Sequence, residues 1–277
     1  MGYEVMIDLK QAIEEAEVIV IGGGEGLSLA AFGDSEERFG KYFADFKGQY
    51  GFSSMKAGIT YPFASSAERW AYWSRYIFVN RYMNPYRPVL EKLLALVKDK
   101  AYFVITTTTE YVFQKAGFDN NRIFPWAGDL GLWQCSEPCH TKTYENYYQV
   151  KEMLLAQGFK FEDGDRLEIP LGGTVLDSYL RTTIPDDLIP RCPICDKPMS
   201  MHLKRSGNFL EDEAWQTASR RYEDFLARNR NKRTLFLEIG EGPEAVKIIK
   251  EPFEEMAKEW ADASHITVAP GEILSNL

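Results

Sequence analysis

The chain has 277 residues, 45% of them apolar and 26% charged, which is ordinary globular usage and excludes a fibrous or disordered chain. A formal net charge of −9 and a pI near 5.1 argue against a nucleic-acid surface, because affinity for a phosphate backbone comes from clustered Lys and Arg. No stretch approaches the roughly 20 apolar residues that span a bilayer, and the first ten residues lack a basic segment followed by an apolar one. A cytoplasmic protein with no membrane partner is expected.

In chain order, residues 17–21 (EVIVI) are a short β-branched run that breaks into Gly22-Gly23-Gly24-Glu25-Gly26 and then LSLAA. This reads as strand, glycine turn and helix, the place where α/β proteins bind nucleotides. A second strand is expected at 101–109 (AYFVITTTT), a third at 122–126, a fourth at 234–239 and a fifth at 265–268. Helices are expected at 88–98 and at 211–229, where Trp215, Ala218, Tyr222, Phe225 and Leu226 recur at helical spacing. Strands alternating with helices imply an α/β fold with a Rossmann-like parallel sheet covered on both faces. Two stretches break that rhythm. One, from about residue 36 to 86, is crowded with aromatics at spacings of three and four and reads as a helical core rather than a ligand cage. The other, 133–201, holds every cysteine.

Cys135 and Cys139 form one close pair, and Cys192 and Cys195 another, 52 residues further on. Two such knuckles make a tetrahedral zinc site, and four sulfurs leave no open position for substrate, so a structural zinc is expected. The alternatives are unrelated thiols or two redox-active pairs. His140 and His202 read as surface residues or as neighbours of the ligands. The glycine turn brings backbone close to a phosphate, although Glu25 inside it would oppose a pyrophosphate unless it points away or meets a cation. A tight turn with no ligand is the plainer alternative. Thr106 to Thr109 and Glu110 end the second strand, where an open parallel sheet binds its ligand. Asp129 follows the third strand as a further acid.

With these segments in order, the chain resembles the sirtuins, and within them the macrodomain-linked bacterial branch. The resemblance rests on GGGEGLS, RFGKYFADF, WAYWSRYIFVNRY, ITTTTEYVFQKAGF, GDLGLWQCSEPCHTKTY, CPICDKPM and FLEIGEGPEAVKIIKEPF. It implies a Rossmann-like domain at 1–35, 88–132 and 202–277, a helical insertion at 36–87 and a zinc module at 133–201, with NAD or ADP-ribose in the cleft between lobes. It also implies cleavage of the nicotinamide bond and, for that branch, ADP-ribosyl transfer to a lipoyl-carrier protein in company with a macrodomain hydrolase. By this resemblance Gly24, Gly26, Ser28 and Gly240 would contact the dinucleotide and the four cysteines would hold zinc, while Thr107 and Thr108 would join the ligand site by their place at the strand end.

The reactive centre departs from the family pattern. Thr108 stands where sirtuins carry asparagine, Glu110 where they carry aspartate, and Ala127 where the catalytic histidine or glutamine is expected. Glu25 and Phe32 replace small residues. Ordinary deacylation needs a titratable group that Ala127 lacks, which leaves three expectations: transfer chemistry using Glu110 or Asp129, a non-catalytic protein that recognises NAD, ADP-ribose or a modified carrier, or a structural or regulatory partner in which Glu25 keeps phosphates out.

Overall fold

A computed structural model of the chain describes residues 9–32, 35–83, 90–162, 166–169, 179–240 and 242–269. Pro88 and Val89 of the expected second helix, and Glu241 of the last quoted motif, lie outside them. The strands are β1 (Val18–Gly23), β2 (Ala101–Thr106), β3 (Ile123–Pro125), β4 (Gly128–Cys135), β5 (Tyr144–Glu145), β6 (Lys160–Glu162), β7 (Arg166–Glu168), β8 (Met199–Leu203), β9 (Thr234–Ile239) and β10 (Ala263–Val268). The helices are α1 (Leu9–Glu15), α2 (Gly26–Phe32), α3 (Ser35–Tyr50), α4 (Ser66–Ile77), α5 (Glu91–Val97), α6 (Val112–Lys115), α7 (Tyr147–Gln157), α8 (Glu213–Asn229), α9 (Pro243–Ala245) and α10 (Glu251–Glu259).

The chain divides into two compact units, one of Met1–Ala31, Tyr86–Gly128 and Glu211–Leu277, the other of Phe32–Pro85 and Asp129–Leu210. The first is built on a five-stranded sheet of order β10-β9-β1-β2-β3, parallel throughout. β1 and β9 are buried at every position, as strands covered on both faces must be. On one face Val20, Phe103, Ile105, Phe124 and Phe236 pack against Tyr222 of α8 and Phe253 of α10. Helix α8 starts at Glu213 because Asp212 caps it, its carboxylate accepting the Trp215 N–H at 2.8 Å.

Four strands differ in their bounds from expectation, β3 and β10 by one or two residues, and β1 and β2 for reasons visible in the packing and hydrogen bonding. β1 runs on through Gly22 and Gly23, which stay in the ladder opposite Ile105 and Thr106. A Cβ on Gly22 would fall 2.1 Å from Ile249, and one on Gly23 2.4 Å from Phe113. These glycines therefore admit side chains onto the sheet rather than forming the turn. β2 stops at Thr106 instead of running to Thr109, because the Thr106 hydroxyl takes the Thr108 N–H at 3.0 Å and draws the backbone out of the ladder.

In the second unit the aromatic segment and the cysteine segment share one core. Phe43, Phe46, Trp70, Tyr72 and Phe78 are buried in the same cluster as Trp133, Met153, Phe159 and Met199. Packing, not ligand binding, explains the aromatic crowding. Inside it Arg75 is fully buried, donating to Gln157 Oε1 at 2.6 Å, to both Asp45 oxygens at 2.8 Å and to the Tyr42 and Arg181 carbonyls. Burial pulls this guanidinium below its ordinary pKa, while the Asp45 carboxylate opposes that shift. The unit also carries a three-stranded sheet of order β5-β4-β8, which places Cys135 at the end of β4 near the knuckle that precedes β8. No helix among the described residues is long and apolar enough to cross a membrane.

Candidate functional site

The register of the first sheet aligns the ends of its strands: Ile239 of β9 lies beside Gly23 of β1, and Gly23 beside Thr106 of β2. The residues that follow these ends are therefore brought together, although they are drawn from three segments of the chain far apart in sequence. Gly24 and Gly240 meet backbone to backbone, so closely that a Cβ on Gly24 would stand 1.7 Å from the Gly240 carbonyl oxygen. Gly240 itself sits at φ +77, where a side chain is strained, and a Cβ there would meet the Leu27 nitrogen at 2.6 Å. Both glycines are demanded by the fold itself before any ligand arrives.

On the β2 side, the Thr106 hydroxyl donates to the Gly23 carbonyl at 2.9 Å and lies 2.8 Å from the Thr108 hydroxyl. Thr107 N–H donates to the same Gly23 carbonyl at 2.9 Å. The Thr107 hydroxyl is buried and has no hydrogen-bond partner among the described residues. A buried hydroxyl left unpaired costs about 1–3 kcal/mol, so this atom calls for a ligand or an ordered water. Glu110 is fixed by two bonds to one oxygen, from the Ser28 hydroxyl at 3.0 Å and from the Thr109 N–H at 2.8 Å. The structure thus brings Gly24, Ser28, Thr107, Thr108, Glu110 and Gly240 to one end of one sheet. Glu25 is half-buried, its side chain running alongside Gly242. Ala127 is buried in the turn between β3 and β4.

Asp129 belongs to the other unit and is committed there. Its Oδ1 takes the Arg81 Nε–H at 2.7 Å and the Gly131 N–H at 2.6 Å, and its Oδ2 lies 3.3 Å from Arg81 Nη2. Arg81 is carried by a π-helical turn, Phe78–Tyr82, that continues α4. The next residue, Tyr82, donates to Asn146 Oδ1 at 2.6 Å. This polar cluster was hidden in the sequence by the aromatics around it. Its one signal is Arg81, a charged residue near the end of a mostly aromatic and apolar run.

The ligand atoms of Cys135, Cys139, Cys192 and Cys195 all lie within 4.8 Å of one another. The Cys135–Cys195 and Cys139–Cys192 sulfurs are each 3.6 Å apart, too far for a disulfide bond of about 2.05 Å. Tetrahedral ligation at about 2.3 Å per bond spaces sulfurs about 3.8 Å apart, so the donor set fits zinc in number, chemistry and spacing. Burial acts to raise the Cys192 thiol, yet the N–H groups of Ile194 and Cys195 draw it down, whereas burial raises Cys135 and the neighbouring Cys195 sulfur raises Cys139, so four thiolates at this spacing need a cation to offset their mutual repulsion. His140 Nδ1 accepts the Lys142 N–H at 3.1 Å. In the neutral ring the proton then sits on Nε2, which lies 3.4 Å from Cys192 Sγ and 3.3 Å from the Tyr144 hydroxyl, so this N–H faces both the sulfur and the phenol oxygen. His202 is buried and occupied elsewhere, its Nε2 lying 2.8 Å from the Leu210 carbonyl.

No family model matches the chain. Over 262 residues it is 34% identical to the protein ADP-ribosyltransferase of Staphylococcus aureus, covering 94% of this chain and 76% of that protein. Among solved structures it is similar to a Sir2 homologue in complex with NAD, at TM-score 0.53 and 14% identity over 95% of this chain and 82% of that one. It is also similar to a Sir2 enzyme at TM-score 0.52 and 16% identity, over 96% and 92%. At such identities the structural likeness establishes the fold, while the sequence likeness establishes the kinship. The chain is a sirtuin-fold protein and belongs to the protein ADP-ribosyltransferase family.

Proposed function

We propose that this protein binds NAD or ADP-ribose at the carboxyl ends of β9, β1 and β2 and transfers ADP-ribose to a protein acceptor through an altered reactive centre. The observation that carries the proposal is the hydrogen bond from Ser28 to Glu110 beside the unpaired buried hydroxyl of Thr107. NAD, when bound, supplies an ADP-ribosyl group whose bond to nicotinamide breaks with the electron pair leaving on nicotinamide. The Thr107 hydroxyl is free to donate to a polar ligand atom. Ser28 and the Thr109 N–H hold one oxygen of Glu110, which orients the carboxylate. A fixed carboxylate at this position favours positive charge developing at a sugar carbon and is available to take a proton from an acceptor. Asp129 holds Arg81 in place instead of moving a proton. Deacylation of the ordinary kind is disfavoured because Ala127 offers no titratable group.

Residues 133–201 act in this proposal as a zinc module that stabilises the fold, and 36–87 as the helical insertion. The acceptor is a lipoyl-carrier protein or another modified protein, with a macrodomain hydrolase as the reversing partner, as the branch resemblance implies. Nicotinamide release in the presence of NAD and a lipoylated carrier protein, lost in Glu110→Gln, would support transfer.

A second proposal is favoured by Ala127 and by the Thr108 hydroxyl, which is engaged by Thr106: a non-catalytic protein that recognises ADP-ribose. It expects no nicotinamide release but a higher melting temperature with ADP-ribose, since a ligand that binds only the folded state stabilises it. Absence of both effects would overturn both proposals.

A further inference from the structure

At the opposite end of β2 from the threonines, the first unit carries a groove of about 290 Å³ lined by Arg122, Arg221, Arg228, Tyr102, Phe225 and Asn121, among others. β2 is six residues long, so about 16 Å of strand separates this groove from the Thr106 end. In a chain of net charge −9, three guanidinium groups converge here, and among the described residues no carboxylate lines the groove.

Each arginine is placed by a separate feature. Arg221, Phe225 and Arg228 recur at i, i+4 and i+7 on α8 and so share one helix face. Arg122 stacks its guanidinium 4.7 Å over the Tyr102 ring, with Nη1 donating to the Lys100 carbonyl at 3.3 Å and Nε 3.7 Å from Asp119 Oδ2. Arg228 Nε donates to the Asp224 carbonyl at 3.0 Å. Arg221 makes no hydrogen bond or ion pair among the described residues. Unspent guanidinium donors beside an aromatic wall suit an anion with a flat apolar body, because the planar fork of Arg matches the oxygens of phosphate and carboxylate.

We propose that this groove is a second ligand site, separate from the strand-end site, that takes a small phosphomonoester. Arg221 and Arg228 hold its phosphate, while Tyr102, under Arg122, and Phe225 border its organic part. The volume is near the lower end of small-molecule sites, about 300 Å³, which admits one ring and a phosphate rather than a dinucleotide.

Isothermal titration at low salt tests this with phenyl phosphate as the probe, on the full chain and on the Arg221→Gln/Arg228→Gln variant. Both side chains are exposed, so an unchanged melting temperature serves as the folding control. The expected result is binding that weakens about tenfold or more in the variant, as the loss of a charge-assisted hydrogen bond predicts. Saturating ADP-ribose should leave that binding unchanged. The proposal is overturned if phenyl phosphate does not bind, if the variant binds equally well, or if ADP-ribose displaces it. Binding of benzoate or a glutamate-rich peptide in place of phenyl phosphate would assign the groove to carboxylates and also overturn it.

Discussion

Ser28 and Glu110 stand 82 positions apart in the chain and are joined by a hydrogen bond of 3.0 Å from the hydroxyl to Oε2. The bond spans the gap between the helix that follows β1 and the segment that follows β2, and it sets the direction of the acid carried by the second. Ser28→Ala removes one of the two donors on that oxygen. It should weaken ADP-ribose binding by about tenfold, the worth of one hydrogen bond to a charged group, with titration calorimetry as the measurement. An unchanged affinity would mean that Glu110 takes its position from the Thr109 N–H alone.

Gly24 presents a different expectation. Its Cβ position lies 1.7 Å from a backbone oxygen, and backbone cannot swing aside as a side chain can. Gly24→Ala should destabilise the protein in the absence of any ligand, by about 1–3 kcal/mol or more. Thermal melting without nucleotide is the measurement. A variant that melts normally and only loses ligand binding would show that the two glycines separate at little cost.

The cysteine cluster should carry one zinc per chain, measurable by elemental analysis. Cys192→Ser should lose the metal and lower the melting temperature, because binding energy at a structural site is folding energy. His140→Ala leaves all four sulfurs in place and removes the N–H that faces Cys192. A zinc affinity about 10–100-fold lower is expected, read by competition with a chelator.

Arg75 and Asp45 form a buried pair with side-chain exposures of 0% and 16%. Removing one partner strands the other, at a cost of about 3–5 kcal/mol. Asp45→Ala should therefore shift the urea midpoint strongly downward, whereas an exposed carboxylate such as Glu162 should be replaceable with little effect.

Glu238 provides a pH test. Burial acts to raise its carboxyl, but polar contacts from His265 and Thr267, together with the charges of His265 and Lys250, outweigh burial and hold it below the usual value of 4.5. A carboxyl lowered in the native state adds stability that is fully present above its unfolded value and is lost as pH falls through the native value. Acid should lower the melting temperature of the parent below about pH 4.5, and Glu238→Gln should flatten that limb of the curve. Equal slopes would remove Glu238 from the acid response.

Much of this architecture was legible in the chain. β-branched runs after which glycine or threonine follows mark β1, β2 and β9 because a strand buried on both faces must be apolar at every position. The spacing of four cysteines predicted one cluster because a knuckle is a local structure, complete within a few residues. The aromatic segment read correctly as core because periodic large side chains usually have no other place to go.

What the chain alone determined is thus local: periodicity, knuckle spacing, and residue types near strand ends. Tertiary structure alone decided which of those residues meet. Sheet order puts β9 beside β1, and only then does Gly240 press against Gly24, a backbone contact that demands glycine at both positions with or without a ligand. The parallel pairing of β1 and β2 brings Ser28 to Glu110, while Asp129, close to Glu110 in sequence, is claimed by Arg81 across 48 positions. The physical reason is that a charge or hydroxyl bonds to whatever packing places within about 3 Å, and sequence separation does not encode that distance.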